Sequence, residues 1–311
     1  MSSLLKRAIA LLFSAALLIW LLHDARWSEL LTRLSRIAPL ELTGLIAAFA
    51  ATYLLRAGRV FDEFRHGTGA SYGHILRLTL VHNAMVNILP FRSGEATFPI
   101  LLSRWFGVPT TRAVAALLWL RLQDAFVVLA LAALVWPDLP FSLRVVWIAC
   151  VALAAVAIPA WARRHPEVLP DHGRFARIGI KLRAALAEST RSSGRAWLWT
   201  VANWSVKLLA QAWMLAALLG TTIQSGLAGA LGVELAAILP IQGVAGFGTY
   251  EAGGAAMLRS HGIMLADGLQ AALVLHLFVI ACALLAGALA AVLLPGAPDK
   301  TSESTPVQET P

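Results

Sequence analysis

Charge is scarce in this chain. Only 14% of its 311 residues are Asp, Glu, Lys or Arg, against about 25% in an average soluble domain, which excludes an ordinary water-soluble globule. Acidic residues are scarcer than basic ones, 17 against 25, for a formal net charge of +8. Cysteine is nearly absent. Cys150 and Cys282 sit far apart inside apolar runs, without CxxC spacing or a metal-ligand neighbourhood, so they read as small core residues and not as a disulfide framework or zinc site. No GxxxxGK[ST] sequence is present, which removes the P-loop as an energy source.

What fills the chain instead is apolar sequence, 59% of all residues, with a mean hydropathy of +0.72. Crossing about 30 Å of hydrocarbon at about 1.5 Å per residue takes about 20 residues of helix. Five segments meet or nearly meet that length: 38–55, 113–136, 143–161, 196–219 and 269–294. A sixth, 8–22, is shorter and extends through Leu4 and Leu5 with Lys6 and Arg7 snorkelling. No small-x-small cleavage site follows it, so it reads as an uncleaved first helix and not a signal peptide. Most of the positive charge flanks these runs, which fits membrane orientation and anionic lipid headgroups and excludes nucleic acid as the partner.

Two further apolar segments stop short. Residues 75–89 end at Pro90 and residues 226–239 end at Pro240, each after about 22 Å of helix. A polar or glycine-rich turn follows each, "PFRSGE" and "PIQGVAGFGTYE", and then a short return limb. "NILP" at 87–90 parallels "AILP" at 237–240, and a glutamate closes each turn, Glu95 and Glu251. Matching interrupted segments in two halves point to a site built from inverted repeats; two ordinary kinked helices are the alternative.

The distribution of Lys and Arg bears on that choice. With both regions as re-entrant hairpins (75–107 and 226–260), six spans remain and both termini fall on the cytoplasmic side. Then 17 basic residues lie inside, Arg56 and Arg59 among them, five lie outside, and Arg92, Arg121 and Lys207 lie at membrane depth. That obeys the positive-inside rule. The expected architecture is an all-α polytopic membrane protein: six full transmembrane helices plus two re-entrant hairpins in an inverted repeat, one integral membrane domain over 1–295. A basic cytoplasmic loop spans 163–195, and a disordered polar tail follows at 296–311. In the loop, Phe175, Ile178, Leu182 and Leu186 share one helical face, as in a helix lying on the anionic leaflet or a solvated linker.

An ionisable group at the bilayer centre costs several kcal/mol, about 3 on insertion scales, so each such group asks for a reason. Arg92 and Glu95 lie three residues apart on the first turn, and Arg121 and Asp124 repeat that spacing in the next span. Lys207 has no acidic partner within a turn of its own helix; Glu95, Asp124 or Glu251 reaches it from elsewhere, or an anionic ligand does. Glu234 and His276 look isolated. Three bases converging at mid-depth suit a phosphate-bearing headgroup, the arginines as bidentate forks and the lysine as a point charge. The Arg121–Asp124 pair also reads as a self-satisfied structural pair.

The stretches "NAMVNILPFRSGEATFPILLSRWFGV", "RLQD" and "ILPIQGVAGFGTYEAG" resemble the lysylphosphatidylglycerol synthase transmembrane family, the membrane domain of MprF-type proteins that also occurs as stand-alone chains. The resemblance runs from about Leu4 to Leu294. It implies movement of lipid between leaflets, with Arg92, Glu95 and Asn87 of the N-x-L-P-x-R-x-G-E pattern as site residues and Arg121, Asp124 and Glu251 beside them. Lys207 joins them by its depth in the span. MprF-type proteins carry a soluble aminoacyl-transferase domain that this chain does not contain, so the chain is not expected to be an enzyme. The expected substrate is an anionic or aminoacylated lipid or a polyprenyl-phosphate-type carrier, with no cofactor and no metal. An intramembrane lipid-phosphate enzyme, or a membrane partner of a biosynthetic enzyme, remains the alternative. Homo-oligomers are compatible with all three, and the expected location is a bacterial inner membrane.

Overall fold

The computed structural model describes residues 37–136, 139–164, 174–191, 193–238 and 244–296, with Ser28, Thr32, Leu34 and Ser35 before them. The expected first span at 8–22 and the tail beyond Gly296 lie outside the described residues. Within them the structure is all-helical. The ten α-helices are α1 (Pro39–Thr68), α2 (Tyr72–Ile88), α3 (Thr97–Phe106), α4 (Thr110–Val135), α5 (Phe141–Arg163), α6 (Arg174–Ser189), α7 (Ser193–Leu219), α8 (Ile223–Ile238), α9 (Thr249–Arg259) and α10 (Leu265–Leu293). Four of them, α1, α4, α5 and α10, are long and apolar enough to cross a membrane, and α7 with α8 qualifies as a pair bent by 118°.

Both interrupted segments fold back as helical hairpins. In the first, His74 meets Phe106, Arg77 lies over Trp105, and His82 bonds Thr97, so α2 and α3 run antiparallel. The two are joined by a 3-10 turn, Pro90–Ala96. Gly94 makes that turn possible, because a β-carbon there would run into the Met85 carbonyl. In the second, Ala236 faces Gly253, Gly232 faces Gly253 and Met257, and Gly229 faces Leu258. Backbones of α8 and α9 touch at Gly232 and Gly253, where neither position has room for a side chain. Small residues that let helix backbones approach are the usual device where lipid removes the hydrophobic drive between helices.

Helix α1 differs from expectation. It does not end near Leu55 but continues through Arg56 and Arg59 to Thr68. Arg59, assigned from sequence to a cytoplasmic flank, is 6% exposed and buried in the bundle. An arginine can lie there because both of its terminal nitrogens are met: Asp124 Oδ1 at 2.7 Å, Thr200 Oγ1 at 2.8 Å and the Leu120 carbonyl at 3.0 Å.

At one end of the bundle Arg112 gathers three helices. It bonds Glu63 of α1 at 2.5 Å, Glu188 of α6 at 3.0 Å, and the Ser189 hydroxyl. Helix α6 docks through Leu182, Ala185 and Leu186 against α4 and α5, while Ile178 is half exposed, so only part of the expected apolar face is used. The Thr68 end of α1, the Thr110 end of α4 and the C-terminal end of α6 therefore lie on one face of the bundle.

Candidate functional site

Both turns meet in the middle of the bundle, where the 3-10 turn of the first hairpin approaches the irregular turn of the second at Val244–Gly246. Beside them α1, α2, α4, α7, α8 and α10 enclose a cavity of about 570 Å³, a size typical of small-molecule sites. Its charged wall consists of Arg56, Glu95, Arg121, Asp124, Lys207 and Glu234. Arg121 lies about 17 Å along α4 from the Thr110 end, and Arg56 about 18 Å along α1 from its Thr68 end. Since Arg112 holds those ends together, Arg56 and Arg121 sit at a common depth, well inside the bundle.

The shortest ion pairs of the site run between helices, and the Arg121–Asp124 pair suggested by the sequence spacing is present but longer, at 3.5 Å. Glu95 at the first tip is clamped by Arg121 of α4, with Oε1 2.7 Å from Nη2 and Oε2 at 3.2 Å from Nε. Nε and Nη2 both donate to Oε2, at 3.2 and 2.9 Å, as charge-assisted hydrogen bonds. Arg121 also reaches Asp124 at 3.5 Å, but the closer partner of Asp124 is Arg59, and the Trp204 indole donates to it at 3.0 Å. The backbone of Arg92 lies in the 3-10 turn, and its side chain is outside the described set.

Lys207 takes none of the three partners expected for it. Its Nζ lies 2.7 Å from Glu234 Oε1 on α8, and the ammonium also sits 4.7 Å from the Trp204 ring centroid. Gln211, one turn on, donates to the same Glu234 oxygen at 2.7 Å and to the Tyr250 hydroxyl at 3.3 Å. Glu234 looked isolated in the sequence because its base belongs to the preceding helix. The sharp bend between α7 and α8 brings the two together.

Glu251 is placed differently from Glu95. It is 0% exposed and does not line the cavity. One carboxylate oxygen accepts the Gly248 N–H at 2.6 Å and the other contacts His276 Nδ1 at 2.6 Å. The His276 ring stacks on Tyr250 with centroids 4.2 Å apart, and both rings face the cavity. Asn87 lines the cavity and donates to the Asn83 carbonyl at 2.8 Å, and Asn83 Oδ1 accepts from Arg56 Nη1 at 2.9 Å. Sequence reasoning missed Arg56 and Arg59. The signal was present as a pair of arginines one turn apart, but a 30-residue helix carrying them inward looks in sequence like a span followed by a basic flank.

Long apolar helices, a bent helix pair, and charged groups enclosed at depth define a multi-pass helical membrane protein. Residues 7–287 match the lysylphosphatidylglycerol synthase TM region, and the chain belongs to that family. No curated protein matches the chain. The family points to a role connected with membrane lipid.

Proposed function

We propose that the protein is a lipid flippase that carries a phosphate-bearing lipid between leaflets, the headgroup passing through the cavity between the hairpin tips. The observation that carries this reading is the cavity itself: charged walls contributed by both halves of the chain, set among helices long and apolar enough to cross a membrane. Buried charge at such depth is expensive and is typical of substrate and ion pathways. Irregular backbone at that depth is tolerated where it lines a cavity, which describes both turns.

In this reading six spans cross the bilayer and the two hairpins are re-entrant from opposite sides, as inverted repeats. Both termini are cytoplasmic in a bacterial inner membrane. Taking Arg56 and Arg59 out of the basic flank leaves the Lys/Arg asymmetry in place. The Glu95–Arg121 clamp joins a hairpin tip to a long helix. An incoming anion competes with Glu95 for Arg121, so headgroup binding loosens that joint and couples occupancy to movement of the tip. The protein acts as a transporter and performs no covalent chemistry on the lipid. Anionic lipid is its partner in the membrane.

Leaflet exchange of fluorescent phosphatidylglycerol in proteoliposomes tests this. Protein-dependent exchange that falls at least tenfold in Glu95→Gln is expected. Vesicles with folded protein and no exchange above protein-free vesicles, for phosphatidylglycerol, its aminoacylated form and polyprenyl phosphate alike, would overturn it.

A further inference from the structure

The carboxylates of the cavity are committed. Glu95 holds Arg121, Glu234 holds Lys207 and Gln211, and Asp124 holds Arg59 and the Trp204 indole. Arg56 is left over. It lines the cavity, forms no ion pair among the described residues, and spends one donor on the neutral Asn83 Oδ1 at 2.9 Å. A guanidinium offers five N–H donors in a planar fork matched to phosphate or carboxylate oxygens. Held by Asn83 at one prong, it lines the cavity with no ion-pair partner among the described residues for its other donors. Uncompensated positive charge at membrane depth is costly, and an anionic ligand removes that cost.

The same cavity also has a greasy side. Val114, Leu117 and Leu118 of α4 and Ile238 of α8 line it. Val114, Leu118 and Ile238 are nevertheless 39%, 41% and 40% exposed, so the wall opens sideways there. Val114, Leu118, Arg121 and Ala125 fall on one stripe of α4 at helical spacing and all line the cavity. The stripe passes from apolar side chains at the Thr110 end to a charged one, the 35% exposed Arg121, one turn beyond. A water-soluble anion has no use for such a gradient. An amphiphile does, with its head in the charged end and its chain against the exposed one.

We propose that Arg56 is the headgroup seat, binding the anion of a lipid whose hydrocarbon chain leaves sideways over Val114 and Leu118. This deepens, and rests on, the translocation reading of the same cavity. Arg56 fixes the charge of the substrate, selecting a net-anionic headgroup over a zwitterionic one, because a zwitterion brings its own cation to a site that already has one too many. The mouth fixes its class, selecting a lipid over free phosphate.

Native mass spectrometry of the detergent-purified protein tests both parts. The probes are dioleoylphosphatidylglycerol, dioleoylphosphatidylcholine and sn-glycerol 3-phosphate. Phosphatidylglycerol adducts are expected at least tenfold over the other two. They fall about tenfold in Arg56→Gln, recover in part in Arg56→Lys, and are unchanged in Arg65→Gln, on the same helix outside the cavity. Leu118→Trp, at a half-exposed position that tolerates bulk, lowers them without touching any charge. Equal phosphatidylglycerol binding in Arg56→Gln and native protein would overturn the seat. Binding of glycerol 3-phosphate as strong as that of the lipid would overturn the sideways mouth. Arg56-dependent lipid binding in a protein that exchanges no lipid between leaflets would leave this assignment standing and remove the translocation reading.

Discussion

At the first hairpin tip, Glu95 reaches out of its own turn to Arg121 on a different helix, and it lines the cavity while doing so. At the second, Glu251 turns back on its own turn, capping Gly248 N–H, and is closed off from the cavity by His276. The backbones differ in the same sense. The first tip is a 3-10 turn, while the second places Ala245, Gly246 and Gly248 at φ 54°, 86° and 87°. A 3-10 turn stays in the right-handed region that most residues adopt, whereas a left-handed run must be held by something. Glu251 and His276 hold it. The two tips thus differ in what their carboxylates do: that of the second is buried in fixing its own turn, and that of the first lines the cavity, where in the proposed reading a ligand replaces its bond to Arg121.

The largest expected effect tests the packing under the second tip. Gly253→Val puts a branched side chain against Ala236 and the Gly232 carbonyl, and no rotamer avoids the backbone of α8. Loss of monodisperse protein in size-exclusion chromatography is expected. Next is Glu251→Gln. The amide keeps one acceptor oxygen where the carboxylate set one against the Gly248 N–H and one against His276 Nδ1, and disturbing this buried network costs about 1–3 kcal/mol. The melting temperature in detergent is expected to fall clearly. At the first tip Glu95→Gln keeps a neutral acceptor for Arg121, which also retains Asp124 at 3.5 Å. Its melting temperature should move far less than that of Glu251→Gln. The smallest effect is Ala245→Gly. Removing the β-carbon from a left-handed residue relieves about 1 kcal/mol, partly offset by the greater backbone entropy of glycine in the unfolded chain. A slight rise in melting temperature is expected at the second tip, with no counterpart at the first.

Much of the frame was legible in the sequence. Helix length against bilayer thickness located α4, α5 and α10, and the paired prolines with glycine and glutamate located both hairpins. The depth of Arg121 and Lys207 pointed to a cavity. Partner choice was not legible. Spacing of three residues proposed Arg121–Asp124 as the main pair, whereas the structure gives Arg121 to Glu95 and Asp124 to Arg59. Local spacing reports only what one helix can offer, while contacts between helices depend on their packing. Arg56 and Arg59 were lost for a related reason. Span counting ends a helix where charge begins, and α1 carries both arginines inward because α2, α4 and α7 supply acceptors that one segment cannot show.

The most direct test of this division of labour is lipid exchange and thermal melting on one pair of variants, Glu95→Gln and Glu251→Gln, in matched proteoliposome and detergent samples. The account predicts that Glu95→Gln loses at least tenfold in phosphatidylglycerol exchange with melting close to native. It predicts that Glu251→Gln melts clearly lower and, per folded molecule below its melting point, exchanges lipid at close to the native rate. Native exchange in Glu95→Gln, or lost exchange in Glu251→Gln without any loss of melting temperature, would contradict it.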